Sequence, residues 1–345
     1  MKKLNAYLVG MAMIFVSFII SEGCSKSNSS SSSTLIGNWT RASDFDGNAR
    51  SEAVAFTIGD YAYISTGTTD RDRFKDLWEY SIARQYWSQK ADLPGVARNS
   101  AVAFSLGTKG YVGTGFDGNV RVNDFWEFDP ATNQWAEKAD FAGTARYDAV
   151  AFALNGKGYI SCGYDGNYLK DLWEFTPGAS AADPGTWVQK ASIGGTKRSA
   201  ATAFVINNNG YICSGSNNGQ ILQDLWMYDQ AEDTWTEKGK IFNATSDTYD
   251  DNYGTIPRQN GVAFVMNGLV YLTAGENTVL VSSTWEYNPS TDRWAEKTDF
   301  EGAARTGAVA FSLNNRGFVL TGRSGTLSMD DGYEFHPLDP KVDGD

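Results

Sequence analysis

The chain has 345 residues, of which 41 are acidic, 29 are basic and only one is histidine, so its formal net charge is −12. Nucleic acids carry a dense negative charge, and this charge balance therefore argues against a nucleic-acid ligand. Hydrophobic residues make up 41% of the sequence, and 36 glycines accompany only 8 prolines. This composition suits a folded core made of many short strands and turns.

The first 23 residues, 1–23, predict an export signal. Lys2 and Lys3 form a positively charged start, and residues 8–20 form an apolar stretch. A stretch of this length is too short to cross a membrane comfortably, but it is typical of a signal peptide. We therefore expect the protein to be exported.

A small residue followed by a cysteine comes shortly after this stretch, at Gly23 and Cys24. The pair resembles the cleavage site of bacterial lipoproteins, which implies cleavage before Cys24 and lipidation of its thiol. Ordinary signal cleavage is the alternative. Residues 24–37 are rich in serine and predict a flexible tether. The expected location is the cell envelope, as an outer-membrane lipoprotein, with a periplasmic or secreted soluble protein as the alternative.

The rest of the chain repeats one pattern six times. Each unit opens with an arginine, carries a glycine seventeen positions later, and then has an aromatic residue, a tryptophan in five of the six units. Four short apolar or aromatic runs separated by turn residues predict four antiparallel strands per unit. Such units predict an all-β fold, a six-bladed β-propeller. The six opening arginines are Arg50, Arg98, Arg146, Arg198, Arg258 and Arg305.

The sixth unit lacks the second tryptophan that closes each of the other five, but Trp39 lies in front of the first unit. We therefore expect the N-terminal strand to complete blade six, which closes the ring and removes a free sheet edge. The expected propeller spans residues 38–340 and is followed by a polar tail at 341–345. The single histidine, His336, directly follows the last aromatic residue of the repeat and is expected in a solvated C-terminal segment after the last strand.

Two cysteines lie within the repeats, at Cys162 and Cys213. They follow the tyrosines of their strands at different offsets, which places their side chains on opposite sheet faces and argues against a disulfide. Small residues occupy the corresponding positions in other units. Both cysteines are therefore expected to be buried packing residues.

The chain resembles the Kelch-repeat family over residues 38–335. The resemblance rests on the opening arginine, a tyrosine before a glycine-terminated strand, the Asp-Leu-Trp-Glu-Tyr segment at 76–80, and the closing tryptophan. One departure is that the double glycine of the family is here a small residue plus glycine, as in Thr66-Gly67. The amino-acid sequence of the repeats resembles that of exported Kelch proteins of Bacteroidota-type bacteria, which are often labelled galactose oxidase by similarity.

That enzymatic label implies a copper ion held by two histidines and two tyrosines. Because the chain has a single histidine, it lacks the nitrogen ligands for copper, and the same scarcity argues against a multi-histidine zinc site or a histidine-based triad. No metal, cofactor or catalytic residue is therefore assigned. Some Kelch propellers are sialic acid mutarotases that work without a metal, through arginines and carboxylates. The glutamates of the third strands could serve in this way, although their repetition favours structural pairing with an arginine or a backbone amide: Glu79, Glu127, Glu174, Glu286 and Glu334.

In a propeller, the loops between blades and the loops between second and third strands open on one face. We name this end of the molecule the loop face. The six opening arginines are expected around the channel mouth there, and the resemblance to Kelch substrate adaptors implies that they contact carboxylates of a ligand. The alternative is that they brace the loops, paired with the glutamates or with carbonyls.

Two irregular regions predict further ligand contacts, because a requirement of the fold would repeat in every blade. The distance from closing tryptophan to opening arginine is 11 residues except before Arg258, where it is 23, and the extra residues lie within 241–256. This insertion supplies the candidates Tyr249, Asp250, Asp251 and Tyr253. Loops of blades two and three supply Asp117, Asn119, Asp165 and Asn167 beside the aromatic residues Phe116, Tyr164 and Tyr168. These residues could form a sugar site, and equally could be turn residues.

The sequence therefore predicts an exported, lipid-anchored propeller that acts as a ligand-binding or protein-interaction module. The expected partner is a protein or a glycan on the loop face, and the protein is expected to be a monomer. The alternative is a metal-free carbohydrate enzyme of the sialic acid mutarotase type.

Overall fold

Six four-stranded antiparallel sheets build the molecule, each with its strands in simple up-and-down order. The computed structural model describes residues 35–180 and 182–344. The expected export signal, the lipidation site at Cys24 and residues 24–34 of the expected tether lie outside the described residues. The sheets confirm the prediction of an all-β, six-bladed propeller. No helix within the described part of the chain is long and apolar enough to span a membrane.

The strand bounds follow the repeat. Blade one has Val54–Ile58, Tyr61–Ser65, Leu77–Ser81 and Tyr86–Lys90; blade two has Val102–Leu106, Lys109–Gly113, Phe125–Asp129 and Gln134–Glu137; blade three has Val150–Leu154, Lys157–Ser161, Leu172–Thr176 and Thr186–Lys190. Blade four has Thr202–Ile206, Asn209–Cys213, Leu225–Asp229 and Thr234–Glu237; blade five has Val262–Met266, Leu269–Thr273, Thr284–Asn288 and Arg293–Lys297; blade six has Val309–Leu313, Arg316–Leu320, Gly332–Pro340 and the N-terminal Ile36–Arg41.

Three blades carry two-residue ribbons in the loop between their second and third strands, and the long insertion contains two short 3-10 helices. The ribbons are Ser216–Asn217 with Gln220–Ile221, Glu276–Asn277 with Val279–Leu280, and Arg323–Ser324 with Leu327–Ser328; the 3-10 helices are Thr248–Asp250 and Tyr253–Thr255.

The first strand of each blade lines the central channel with small side chains. In blade two, Val102, Phe104 and Leu106 are buried, whereas Ala103 between them faces the channel. This alternation has the period of two expected for a strand with two different faces. Phenylalanines of the first strands fill the space between blades: a Cβ atom added at Gly110 would lie 2.1 Å from the ring of Phe56 in the preceding blade.

The N-terminal strand closes the ring as expected. Trp39 lies opposite Phe335 in blade six, is fully buried, and packs against the ring of Phe300 at a centroid distance of 4.9 Å. The prediction for His336 is wrong, because the third strand continues to Pro340 and the histidine lies within it. Its Nε2 atom is 3.0 Å from the hydroxyl oxygen of Thr40 on the closing strand. The third strand of blade six is therefore longer than the repeat predicts, because residues after its last aromatic residue pair with the closing strand.

Both internal cysteines are buried free thiols, which confirms the sequence-based interpretation. Burial raises the pKa of Cys213 to about 12. A thiol protonated at neutral pH and shielded from solvent is a packing residue rather than a nucleophile.

Candidate functional site

The two ends of the propeller differ in the connections that they carry. Tight turns join the first and second strands at one end, for example at Gly59 and Asp60. The loop face, at the other end, holds the longer connections. Bridges such as Ser51 to Thr68 join each blade-opening segment to the loop between second and third strands. The loop face is therefore where the chain varies without disturbing the blades.

The six opening arginines lie beneath this face and are fully buried. In blade two, Nη1 and Nη2 of Arg98 donate to the two carboxylate oxygens of Asp124 at 2.5 and 2.6 Å. Nη1 also donates to the carbonyl of Thr114, and Nε to the carbonyl of Val96. Equivalent ion pairs occur in four further blades: Arg50 with Asp76, Arg146 with Asp171, Arg198 with Asp224, and Arg305 with Asp331. This arrangement favours the bracing alternative, with aspartate rather than glutamate as the carboxylate partner.

The glutamates of the third strands pair within their own sheets. Glu79 accepts from the Tyr63 hydroxyl at 2.6 Å and pairs with Lys90 at 2.9 Å. Burial and the bond to Glu79 raise the pKa of Tyr63 well above its usual value. Among the contacts of these glutamates within residues 35–180 and 182–344, only that of Glu334 is with an arginine, Arg316, so the expectation that these glutamates bind an arginine or a backbone amide is wrong for the other four. The same tyrosine–glutamate pair recurs as Tyr111 with Glu127, Tyr159 with Glu174, and Tyr271 with Glu286.

Blade five departs from this pattern because Ser283 occupies the position of the aspartate. Nη2 of Arg258 donates instead to the Ser283 hydroxyl at 2.9 Å and to the carbonyl of Thr255 at 2.5 Å. Without a carboxylate, burial lowers the pKa of Arg258 to about 10. Nε1 of Trp285 donates to the Thr255 hydroxyl at 2.9 Å, whereas in blade two the matching tryptophan donates to the aspartate. Thr255, which lies in the insertion, therefore replaces both functions of the missing aspartate.

Two other residues of the insertion, Tyr253 and Asp250, are buried. Tyr253 is buried, and its hydroxyl bonds to both the N–H and the carbonyl of Trp294. Asp250 is buried as well and accepts from the N–H groups of Ala244 and Thr245 at 2.9 Å. Two of the four residues predicted here, Tyr249 and Asp251, are exposed on the surface.

The aspartates predicted in the loops of blades two and three form turns. Asp117 accepts from the N–H of Asn119 at 2.7 Å, and Asp165 accepts from the N–H of Asn167 at 2.9 Å. Asp165 also accepts from the Thr144 hydroxyl at 2.8 Å. These contacts fit the turn alternative for the two aspartates. The side chains of Asn119 and Asn167 remain exposed at the turn tips.

The residue two positions after each opening arginine forms a ring around the channel mouth. Its backbone is left-handed in all six blades, with φ between 51° and 64°. The N–H of Ser100 donates to the carbonyl of Glu52 at 2.9 Å, and the N–H of Asp148 to that of Ser100 at 3.2 Å, so that neighbouring blades are linked by backbone hydrogen bonds. The six residues of this ring are Glu52, Ser100, Asp148, Ala200, Asn260 and Gly307.

Two carboxylates of this ring border a cavity of about 130 Å³ at the mouth. Glu52 accepts from the Asn99 amide at 2.6 Å and lies 3.5 Å from a guanidinium nitrogen of Arg323. Burial in the mouth and the charge of Glu52 together raise the pKa of Asp148 to about 6, although a hydrogen bond from Ser100 opposes the shift. Within residues 35–180 and 182–344, no three metal-ligating side chains are grouped as a metal site. The ring could have been found in the sequence, because the position two residues after the opening arginine holds a different residue type in every blade.

Three further arginines, which sequence reasoning missed, lie on the loop face and reach from one blade to the next. Besides Arg323, Nε of Arg73 donates to the Asn99 side chain at 2.6 Å, and Arg121 lies over Tyr147 and Tyr164 of blade three. Each is only partly buried. Their sequence signal is weak, because they occupy variable loops rather than repeat positions.

The closed ring of six blades, with one buried arginine beneath the loop face in each, defines the class of protein: a β-propeller built from an arginine-opened repeat. A family model described as the KLHDC2/KLHL20/DRC7 Kelch-repeats domain matches residues 138–322, and a model described as the Kelch motif matches residues 98–141. The chain belongs to the Kelch-repeat β-propeller family.

Comparison with individual proteins adds evidence for the fold. No curated protein matches the chain. A solved structure titled "Structure of YjhT" has a TM-score of 0.70 at 15% sequence identity, and the match covers 85% of this chain and 96% of that one. At this identity the similarity shows the propeller fold alone.

The buried ion pairs give a direct stability prediction. Asp124→Asn leaves the guanidinium of Arg98 buried without its countercharge, and we expect it to lower the free energy of unfolding by about 3 kcal/mol. Ser283→Ala at the matching position of blade five removes one neutral acceptor and should cost about 1 kcal/mol. Urea denaturation of the two variants measures the difference. Equal losses would contradict the bracing role of the aspartate.

Proposed function

We propose that this propeller is a ligand-binding module of the cell envelope, exported by residues 1–23 and held to a membrane by a lipid on Cys24. Its binding surface is the loop face, and its ligand is a protein or a glycan. One observation carries the proposal: polar and aromatic side chains that the blades do not need for packing gather on this face. Arg73, Arg121 and Arg323 are among the accessible cations there, and the opening arginines support the loops from below.

The charge of the protein is consistent with an anchor that does not depend on electrostatic attraction. A chain of net charge −12 is repelled by an anionic membrane surface. A lipid on Cys24 would supply the affinity that the protein surface lacks. The serine-rich segment after it would then let the propeller turn its loop face toward a ligand. We propose that the protein acts there as a monomer.

The binding face can be tested with two tyrosine variants. Tyr164→Ala removes a ring from the loop face, whereas Tyr61→Ala removes an exposed ring beside a first-to-second-strand turn at the other end. On a glycan array, or with a protein ligand once one is found, we expect Tyr164→Ala to lose at least about tenfold in affinity and Tyr61→Ala to bind normally. Loss of binding by Tyr61→Ala but not by Tyr164→Ala would place the ligand at the other end of the propeller and contradict the proposal.

A second candidate function is a metal-free carbohydrate enzyme of the sialic acid mutarotase type. The observation that favours it is Asp148, whose carboxyl group borders the channel mouth and has a pKa raised to about 6 by burial. A carboxyl with such a pKa can both give and take a proton near neutral pH. The glutamates of the third strands are poor candidates, because they are paired within their sheets.

This enzymatic candidate predicts that the protein accelerates the exchange of sialic acid anomers, as measured by NMR. Asp148→Asn should slow the catalysed rate by at least about 100-fold, whereas Asp60→Asn, in an exposed turn at the opposite end, should leave it unchanged. If ionised Asp148 is the base, the rate is lost as the pH falls through about 6. The absence of acceleration by the wild-type protein would exclude this candidate.

A further inference from the structure

We propose that Arg121, together with Tyr147 and Tyr164, forms a subsite for the single carboxylate of a sugar acid. This inference rests on the proposed function, because it assumes that the loop face binds a ligand. It adds the chemical class of that ligand and the residue that recognises it.

Arg121 differs from the five opening arginines that pair with an aspartate because, in the part of the chain that the structure describes, it contacts aromatic rings rather than a carboxylate. It lies in the loop between the second and third strands of blade two, and its guanidinium carbon is 5.7 Å from the ring centroid of Tyr147 and 5.4 Å from that of Tyr164. Its Nε atom is buried and has no hydrogen-bond partner among the described residues. By contrast, Arg73 in the corresponding loop of blade one uses its Nε to bind Asn99.

An unpaired buried donor is costly, and a charged one is more costly than a neutral one. Such a group calls for an explanation, and we infer that the guanidinium of Arg121 completes its hydrogen bonds with a ligand. The two tyrosine rings hold the guanidinium of Arg121 by cation–π contacts. The group is therefore oriented before a ligand arrives, which lowers the entropic cost of binding. A planar fork of donors fits a carboxylate in a bidentate manner.

The surroundings of Arg121 favour a ring-shaped ligand with hydroxyl groups. Tyr168 packs edge-on against Tyr164 at a centroid distance of 5.1 Å, and Phe116 lies 5.6 Å from Tyr147. These four rings form a continuous, partly exposed aromatic cluster across blades two and three. Aromatic side chains offer apolar faces to a sugar ring, and the tyrosines also offer hydroxyl groups at their edges.

Polar groups for the hydroxyls of a sugar lie around this cluster. Asp148 follows Tyr147 in the chain and borders the channel mouth, and the amides of Asn119 and Asn167 are exposed on the adjoining turns. A sugar acid whose carboxylate binds Arg121 would therefore place its ring against the tyrosines. Its hydroxyl groups would then lie near Asp148 and the two asparagine amides.

The charge of the protein argues for one carboxylate rather than many. The chain carries a net charge of −12, and Asp117, Asp148 and Asp165 of the same two blades outnumber the neighbouring cation Arg73, whose guanidinium carbon is 5.2 Å from the ring centroid of Phe116. A polyanion would extend beyond Arg121 into this negative field, whereas one carboxylate in contact with the guanidinium is dominated by that contact. The inferred ligand is thus a free or terminal sugar acid, and not an acidic polysaccharide or an acidic peptide.

Calorimetric titration of the purified full chain tests this inference with five probes: D-glucuronate, D-galacturonate, D-glucose, a polygalacturonate and a tetraglutamate peptide. At least one of the two sugar acids should bind at least about tenfold more tightly than glucose and more tightly, per site, than the polymer. Arg121→Gln should weaken that binding at least about tenfold, and Arg121→Lys should weaken it less, because the charge remains but the fork is lost.

The matched control is Arg84→Gln. Arg84 also lies beside a tyrosine, with its guanidinium carbon 5.9 Å from the ring centroid of Tyr86, but in an exposed turn between the third and fourth strands of blade one. This variant should bind the sugar acid like the wild type. Circular dichroism melts of all variants verify that the propeller is folded.

Three results would overturn the inference: no binding of either sugar acid at about 10 mM, equal binding by Arg121→Gln and Arg84→Gln, or tighter binding of polygalacturonate or of a tetraglutamate peptide. These results are distinguishable from a failure of the proposed function. If another ligand is lost on Tyr164→Ala but not on Arg121→Gln, the loop face is still the binding face and only the sugar-acid subsite is wrong.

Discussion

The buried pair of an opening arginine and an aspartate is the interaction on which each blade depends. In blade one the guanidinium of Arg50 joins three separate segments: the carbonyl of Asn48 in the entering loop, the carbonyl of Thr66 after the second strand, and Asp76 before the third strand. Burying a guanidinium is expensive, and the cost is offset only when all its donors are used with good geometry. The loops above the pair can vary because the pair fixes their ends.

Blade five shows how strong this constraint is. Ser283 leaves Arg258 without a carboxylate, and the chain compensates with a longer connection whose Thr255 supplies the missing acceptors for both the arginine and Trp285. Ile241 and Ile256 of the same connection are buried in the core between blades four and five. The greater length of the connection before Arg258 is therefore explained first by the absence of an aspartate at position 283. Tyr249, over which the guanidinium of Arg293 lies, and Asp251, which accepts from the Asn243 amide, are exposed residues of this connection.

Repetition explains why the architecture could be predicted from the sequence. Six copies of one pattern define the strands, and the position of Trp39 reveals the closing strand. The aspartates were visible too, since each follows its arginine by 25 or 26 residues, but the pairing depends on a backbone turn that brings these positions together. His336 was misplaced because strand pairing with Asn38 and Thr40, rather than the repeat, extends the last strand.

The loop face was less predictable for a physical reason. Asp148 borders the channel mouth because of a left-handed backbone at that position, and Arg121 acquires its environment from rings of the next blade. The left-handed position repeats in every blade, but its residue type does not, and the ring contacts of Arg121 depend on the neighbouring blade. The same non-repeating positions carry the accessible charge and the aromatic surface, so the framework and the binding surface use different arginines.

This division between framework and surface arginines can be measured directly by modifying the native protein with phenylglyoxal and locating the adducts by mass spectrometry. Arg121 and Arg323, which are partly exposed, should react in the folded protein. The six opening arginines, which are fully buried, should react only after unfolding. Modification of Arg98 or Arg198 at the rate of Arg121 in the native state would contradict the assignment of the opening arginines to the framework.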